Sequence, residues 1–227
     1  MFQNKFPYQK YDRIHDLHGR FYVIPDSRPL PSVTTIMSNT IDHSWVEEWK
    51  QRVGEEEADR IVQESCDIGS GMHEILEKYY TGESVGKVFP ISRIFAKTII
   101  KRGLCNVSEV WGVEGSLYIH DIYAGTSDLV GIHSGKESII DYKNSRREKL
   151  EEDIEEYKMQ LTAYADAHNS MFGTDIKKGV IMMMIRNGNF VEFVLEGNEF
   201  NKYLDKWWKV VEAYYEKFGV VCPITDK

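Results

Sequence analysis

Apolar positions recur at helical spacing through much of the first hundred residues and at strand spacing through much of the remaining chain. Met72, Ile75, Leu76 and Tyr79 make an apolar stripe that predicts a helix over residues 70–80, resuming after Gly69-Ser70-Gly71. Residues 43–52 and 54–66 also read as helical, punctuated near Gly54, and Ile91–Lys101 predicts a further helix. Ahead of these, residues 11–25 predict a small hairpin with Gly19-Arg20 as its turn and Phe21–Ile24 as its second strand. Pro25, Pro29 and Pro31 then mark an irregular segment, after which Ser32 is placed to cap a short helix.

Beyond residue 106 the runs VSEVWGVE, SLYIHDIYAGTSDLVGI and ESIIDYK are short, rich in β-branched and aromatic residues, and broken by glycine. They predict adjacent, partly antiparallel strands. Acidic residues 151–156 favour the start of a helix through its dipole, with Tyr157, Leu161, Tyr164 and Ala165 on its inner surface. VIMMMI reads as an interior strand, Asn187-Gly188 as a turn and FVEFVL as the hairpin partner. A last helix spans about Asn198–Lys217, its aromatics serving core or interface. No repeat, coiled coil or long linker interrupts the pattern. The expected class is α/β: a central mixed sheet clasped by helices, one domain over 1–227. Residues 1–104 form its mainly helical portion, and 105–227 an α/β core with a C-terminal helix.

The bulk properties narrow the function without naming it. The 227 residues are 42% hydrophobic and 28% charged, ordinary for a globular domain, and the net charge of -8 argues against a general polyanion binder. Gly179–Ile185 is far too short to span a bilayer, and the N-terminus has no apolar signal core, so no membrane partner and a cytoplasmic location are expected. Cys66, Cys105 and Cys222 lack metal-ligand spacing; they suit a reducing compartment and are expected as buried thiols. Two basic stretches could contact a phosphate backbone: Arg93, Lys97, Lys101 and Arg102, and then Arg146, Arg147 and Lys149 following Lys143. A solvated helix face explains the first stretch as well as a DNA groove does.

The chemistry concentrates between Gly125 and Lys143. Asp128 precedes a short glycine-containing break, and Asp141 and Lys143, two apart on the following strand, point to one face. Two carboxylates and an ammonium gathered there suit a hard metal beside a group that positions water, which is hydrolase chemistry best matched to phosphodiesters. Asp128 and Asp141 are the expected ligands, with the Tyr142 carbonyl as a further oxygen. A hairpin edge of salt-bridged charges accounts for the same residues taken alone. His73 could give an imidazole to a softer divalent ion, or simply pack or cap; Glu77 lies one turn beyond it. Glu114 on the preceding strand is either a further ligand or a solvent-facing residue beside a turn. Gln160 and Tyr164, one helical turn apart, could return to the same centre, though an ordinary buried Tyr fits too.

This ordered set resembles the PD-(D/E)XK nuclease superfamily, particularly its RecB-like exonuclease branch, with phage exonucleases and the mitochondrial genome-maintenance exonuclease as the closer likenesses. Gly125-Thr126-Ser127-Asp128, Asp141-Tyr142-Lys143 and Gln160–Tyr164 align with the family core. Gly69–His73 matches its N-terminal helical portion and Leu30–Thr34 the segment before it, so the likeness runs discontinuously over roughly residues 20–165. The resemblance implies a restriction-endonuclease-like core in which His73, Asp128, Asp141 and the Tyr142 carbonyl bind Mg2+ or Mn2+. Glu114 would hold the upstream acidic position, Lys143 would carry the catalytic ammonium, and Gln160 and Tyr164 would support DNA or the active centre. Ser127 replaces the family's name-giving Pro, which is not catalytic, and three dispersed cysteines do not make an iron-sulfur site. The implied function is a metal-dependent DNA exonuclease acting on ends of single-stranded DNA threaded under the N-terminal helices. A phage-encoded protein of replication, recombination or repair, with a partner from that machinery, fits the same branch. The alternatives are a structure-specific endonuclease and a noncatalytic nucleic-acid-binding protein on the same fold.

Overall fold

A computed structural model describes residues 4–219; Cys222 lies outside them. The chain begins with a small antiparallel sheet of β1 (Arg13–Asp16), β2 (Gly19–Tyr22) and β3 (Leu30–Pro31). Helices α1 (Val33–Thr40), α2 (Ser44–Val53), α3 (Glu55–Thr81) and α4 (Pro90–Arg102) come next. The main sheet comprises β4 (Val107–Ile119), β5 (Tyr123–His133), β6 (Lys136–Ser145), β7 (Lys178–Ile185) and β8 (Phe190–Glu196). Helix α5 (Glu155–Phe172) connects β6 to β7, and α6 (Gly197–Lys217) closes the fold.

The five strands lie in chain order, with β6 and β7 parallel and the other neighbours antiparallel. That parallel pair requires a crossover, and α5 supplies it. Strand β7 shows why its sequence is an unbroken apolar run: alternate residues serve two cores. Val180, Met182 and Met184 meet Ile68, Met72 and Leu76 of α3 and Phe95 and Ile99 of α4. Ile181, Met183 and Ile185 face the other way, into the core built with Leu161 and Ala165 of α5 and Phe200, Trp207 and Val211 of α6. The expected α/β class with a mixed central sheet between helices is therefore the observed one, and the α6 aromatics are mostly core. Among the described residues no helix is long and apolar enough to cross a membrane.

Some local expectations from the sequence hold and others do not. Ser32 does cap α1, its Oγ accepting from the Thr35 N–H at 3.0 Å. The hairpin turn, however, is Leu17-His18, and Gly19 opens β2 at φ +131°, a conformation glycine adopts freely. Leu30-Pro31, inside the proline-marked segment, pairs with Phe21 and Tyr22 as a third strand. Gly69-Ser70-Gly71 does not break the helix: α3 runs through it without interruption. Those glycines are close-approach positions, since a Cβ at Gly69 would lie 2.8 Å from Asn144 Nδ2 of β6 and one at Gly71 2.9 Å from Ser92 Oγ of α4. Tyr79 is exposed although its stripe partners Met72 and Leu76 are buried, because the stripe continues through Tyr80, which packs on the same core. Cys66 and Cys105 are exposed free thiols rather than buried ones.

Candidate active site

The β5–β6 ladder ends at Leu129↔Ile140, whereas β6 continues to Ser145 in register with β7. The divergence opens a notch at the next position along, where Asp128 and Asp141 stand. The Tyr142 N–H, left without a ladder partner in β5, donates to Asp128 Oδ2 at 2.7 Å. Across β4, the Val113↔Leu129 and Gly115↔Ser127 pairs put Glu114 opposite Asp128. Glu114 sits at φ 49°. That backbone region costs a non-glycine residue roughly 1–2 kcal/mol and is found most often where function demands a particular side-chain direction.

Helix α3 supplies the imidazole. His73 Nδ1 lies 3.3 Å from Asp128 Oδ1 and 4.0 Å from Glu114 Oε1, and its Nε2 is 3.0 Å from the Tyr142 carbonyl oxygen. A carbonyl only accepts, so Nε2 carries a proton in this arrangement. His73, Glu114 and Asp128 each offer a ligand atom within 4.8 Å of one another. One imidazole, two carboxylates and an adjacent carbonyl make a nitrogen–oxygen donor set suited to a hard or borderline divalent cation. Without metal a proton on Nδ1 offsets the Asp128 charge, and an ion held by Nδ1 would take that proton's place. Asp141 is not in that cluster of ligand atoms; its Oδ2 pairs with Lys143 Nζ at 2.6 Å and, though buried, accepts no hydrogen bond of good geometry. The residues present therefore fit a metal, with Asp141 the carboxylate whose buried oxygen still lacks a full set of partners.

Lys143 is held from both sides. Its Nζ donates to Gln160 Oε1 at 3.2 Å, Gln160 Nε2 donates to Tyr164 Oη at 2.9 Å, and the Tyr157 ring lies 5.0 Å from the ammonium. Burial pulls the Lys143 pKa down, but Asp141 and Asp128 outweigh it and leave it above the ordinary value. The group is an ammonium and a donor rather than a base. Burial pushes Asp141 up to about 6 despite Lys143, and it pushes Glu114 up to about 7 with help from Asp128. For Asp128 the His73 charge overcomes burial and lowers the pKa. His73 rises to about 9, burial being outweighed by Asp128.

Glu114 gives a test with a definite sign. Its folded value of about 7 lies above the ordinary 4.5, so folding favours the protonated form. The native state is then penalised as pH rises from the lower value through the upper, and fully above it. In metal-free protein Glu114→Gln should raise stability by roughly 1–3 kcal/mol at pH 8 and leave it unchanged at pH 4. Urea midpoints at both pH values measure this. Mn2+ is expected to stabilise the wild type, and the same variant should lose much of that gain. A variant less stable than wild type at pH 8 without metal would make Glu114 a structural residue.

One cleft of about 700 Å3 contains His73, Glu114, Asp128, Asp141, Tyr142, Lys143, Gln160 and Tyr164. The two basic stretches fare differently. Arg93, Lys97, Lys101 and Arg102 lie on exposed positions of α4 and do not line it; Arg93 donates to the Gly86 carbonyl and Arg102 covers Phe190. Arg146, Arg147 and Lys149 line an adjoining groove, with Arg146 paired to Glu64 and Arg147 to Asp153. Glu77 is paired with Lys10 at 2.8 Å. Sequence reasoning missed Arg13 and Arg20, which come from the small sheet to line the cleft and take part in no ion pair among the described residues. Arginines at i and i+7 around a hairpin carry no distinguishing spacing; docking of the small sheet on β5, through Tyr22 Oη on Thr126 Oγ1 at 3.0 Å, the Ser32–Ala124 bridge and the packing of Tyr22, Ile24 and Leu30 on Ala124, brings them to the cleft.

No family model matches the chain. It is similar to mitochondrial genome maintenance exonuclease 1 of Homo sapiens, 25% identical over 95% of this chain and 68% of that protein. The Mus musculus protein of the same name is 26% identical over 83% of this chain and 60% of its own length. Both relatives are named exonucleases. Among solved structures, a candidate exonuclease from Eubacterium rectale superposes with a TM-score of 0.45 at 13% identity, covering 67% of this chain and 68% of that one.

Proposed function

We propose that this chain is a metal-dependent deoxyribonuclease of the PD-(D/E)XK type that removes nucleotides from the ends of single-stranded DNA. The observation that carries the reading is the row of Glu114, Asp128 and Asp141 across three neighbouring strands, with Lys143 fixed against Asp141 and His73 closing the row from α3. Binding a phosphate backbone alone does not call for buried carboxylates gathered in the cleft. The names of the relatives support a nuclease, and their genome-maintenance role makes DNA the substrate class to test first.

His73, Glu114, Asp128 and Asp141, with the Tyr142 carbonyl, would hold Mg2+ or Mn2+. Such an ion, when bound, supplies an acidified water and a counter-charge to the phosphoryl oxygens. The chain's own part is orientation and charge. Lys143 presents a fixed donor to the oxygens that gain charge as the pentavalent phosphorus forms. Gln160 holds that ammonium in place, and Tyr164 holds Gln160. Arg13 and Arg20 are free to neutralise flanking phosphates, and the described residues act as one nuclease domain in which α3 supplies one wall of the cleft.

End-labelled linear and circular DNA, single- and double-stranded, digested with Mg2+ or Mn2+ and with an EDTA control, tests the reading. Metal-dependent loss from linear single strands, with circles spared, is expected, and the retained label gives the polarity. Cut circles would make the enzyme an endonuclease. Uncut DNA in both metals, with binding retained, would leave a noncatalytic binding protein.

A further inference from the structure

Helix α2 buries none of its residues, although Trp45, Val46, Trp49 and Val53 stand on it. Trp45 is 61% exposed. Two tryptophans one helical turn apart, about 6 Å between their Cβ atoms, form an aromatic face on which Trp45 is exposed and Trp49 half-buried. Large aromatics are left in water rarely unless something flat and apolar comes to them.

The surroundings say what that is. Trp45 and Trp49 line a groove of about 760 Å3 with Arg52, Arg146, Arg147, Lys149 and one acid, Glu48; Arg146 and Arg147 are paired to Glu64 and Asp153 behind that lining, and Arg52 and Lys149 take part in no ion pair among the described residues. This local excess of cations runs opposite to the chain's net charge of -8. The groove is continuous with the candidate active site: Ser65, Asn144 and Tyr157 line both. At that junction the Tyr157 ring lies beside the Lys143 ammonium. Aromatic planes for bases, cations for the phosphates between them, and an opening onto the phosphodiester centre are the features of a single-strand channel. A protein helix would need apolar walls on both sides, and a duplex would bury its bases away from Trp45 and Trp49.

From this we infer that the α2 groove is a base-stacking subsite for the unpaired strand on one side of the scissile phosphate. The inference rests on the nuclease reading of the adjoining cleft. Trp45 and Trp49 stack on successive or alternate bases, Arg52 and Lys149 take phosphates, and Arg147 exchanges its exposed pairing with Asp153 for a phosphate when DNA enters.

Binding of the full chain in EDTA, so that nothing is cut, is followed by fluorescence anisotropy with labelled oligothymidylate of about 15 nucleotides. The comparison probes are an abasic strand with the same number of phosphates, a duplex, and oligouridylate. Wild type should prefer oligothymidylate to the abasic strand by about tenfold, and Trp45→Ala/Trp49→Ala should erase that preference while leaving abasic binding within about twofold. Trp45→Phe/Trp49→Phe should restore most of it. Neither tryptophan is buried, so unfolding should not mask the result, and an unchanged Tm confirms it. Equal affinity for thymidylate and abasic strands, or a double-alanine variant that binds thymidylate normally, overturns the subsite. A double-alanine variant that instead changes the oligomeric state by light scattering overturns it in favour of a second copy on α2. Tighter binding of oligouridylate keeps the stacking and overturns DNA as its source. Failure of the nuclease reading is separately visible: wild type would then stack thymidylate but cleave no strand in Mg2+ or Mn2+.

Discussion

Lys143→Ala is expected to lower DNA cleavage by about a thousandfold while leaving the protein folded and able to bind Mn2+. Nζ is the only cation within 4 Å of Asp141 among the described residues, and Gln160 orients it. A fixed donor aimed at charge that develops in the transition state is worth about two to three orders of magnitude in rate, and here the group also carries a full charge. Its removal leaves Asp141 without its ion-pair partner. The Asp141 pKa, already about 6 through burial, should climb further and the carboxyl take up a proton, which limits the loss of stability. Single-turnover cleavage of a labelled single strand separates this from a binding defect: the chemical step should fall and oligonucleotide affinity should hold. Cleavage within tenfold of wild type would remove Lys143 from the reaction. Gln160→Ala should cost less, about tenfold to a hundredfold, because it frees the ammonium without deleting it.

Gly125→Ala should also be damaging, although glycine brings no side chain to the cleft it lines. A Cβ there would lie 2.3 Å from Cε1 of Tyr164 and 3.2 Å from Cδ1 and Cζ. Tyr164 is buried, so its ring cannot retreat without repacking α5 against β5. Overpacking of this kind costs about 1–3 kcal/mol, which lowers Tm by roughly 2–10 °C in a domain of this size. The larger effect is on the site. Displacing Tyr164 removes the hydroxyl that accepts from Gln160, and the Gln160–Lys143 contact goes with it. Cleavage should fall by about a hundredfold. Adding Tyr164→Ala to Gly125→Ala removes the clash, so the Tm losses of the two single variants should not add. Additive losses would mean that Gly125 is needed for some reason other than the approach of Tyr164.

Much of this arrangement is legible in the sequence because its determinants are local. The two-residue spacing of Asp141 and Lys143 fixes them to one strand face, and VIMMMI, short, apolar throughout and followed by the Asn187-Gly188 turn, reads as a strand with both faces covered. Ser32 ahead of a helical run announces its own cap, and Asn187-Gly188 announces a turn. Register is then set by turn length, which is why Asp128 and Asp141 end up side by side. The α/β class comes from the change of period alone.

Tertiary structure decided what depends on residues distant in the chain. Gly69 and Gly71 read as a break and prove to be contacts, because the benefit of close packing against Asn144 and Ser92 outweighs glycine's low helix propensity. Glu114, for which the spacing left both a ligand and a solvent-facing residue open, is turned beside Asp128 by a backbone conformation that no pattern of side chains reveals. Arg13 and Arg20 reach the cleft only through docking of the small sheet on β5, whereas the more conspicuous cations of α4 lie outside it. Cys66 and Cys105 lie at the surface, where composition would have buried them. In each case the sequence settled which chemistry was at hand, since side-chain identity and short-range spacing are carried by the chain itself. Which groups meet was left to long-range packing, because contact between residues far apart is selected by the free energy of the whole core.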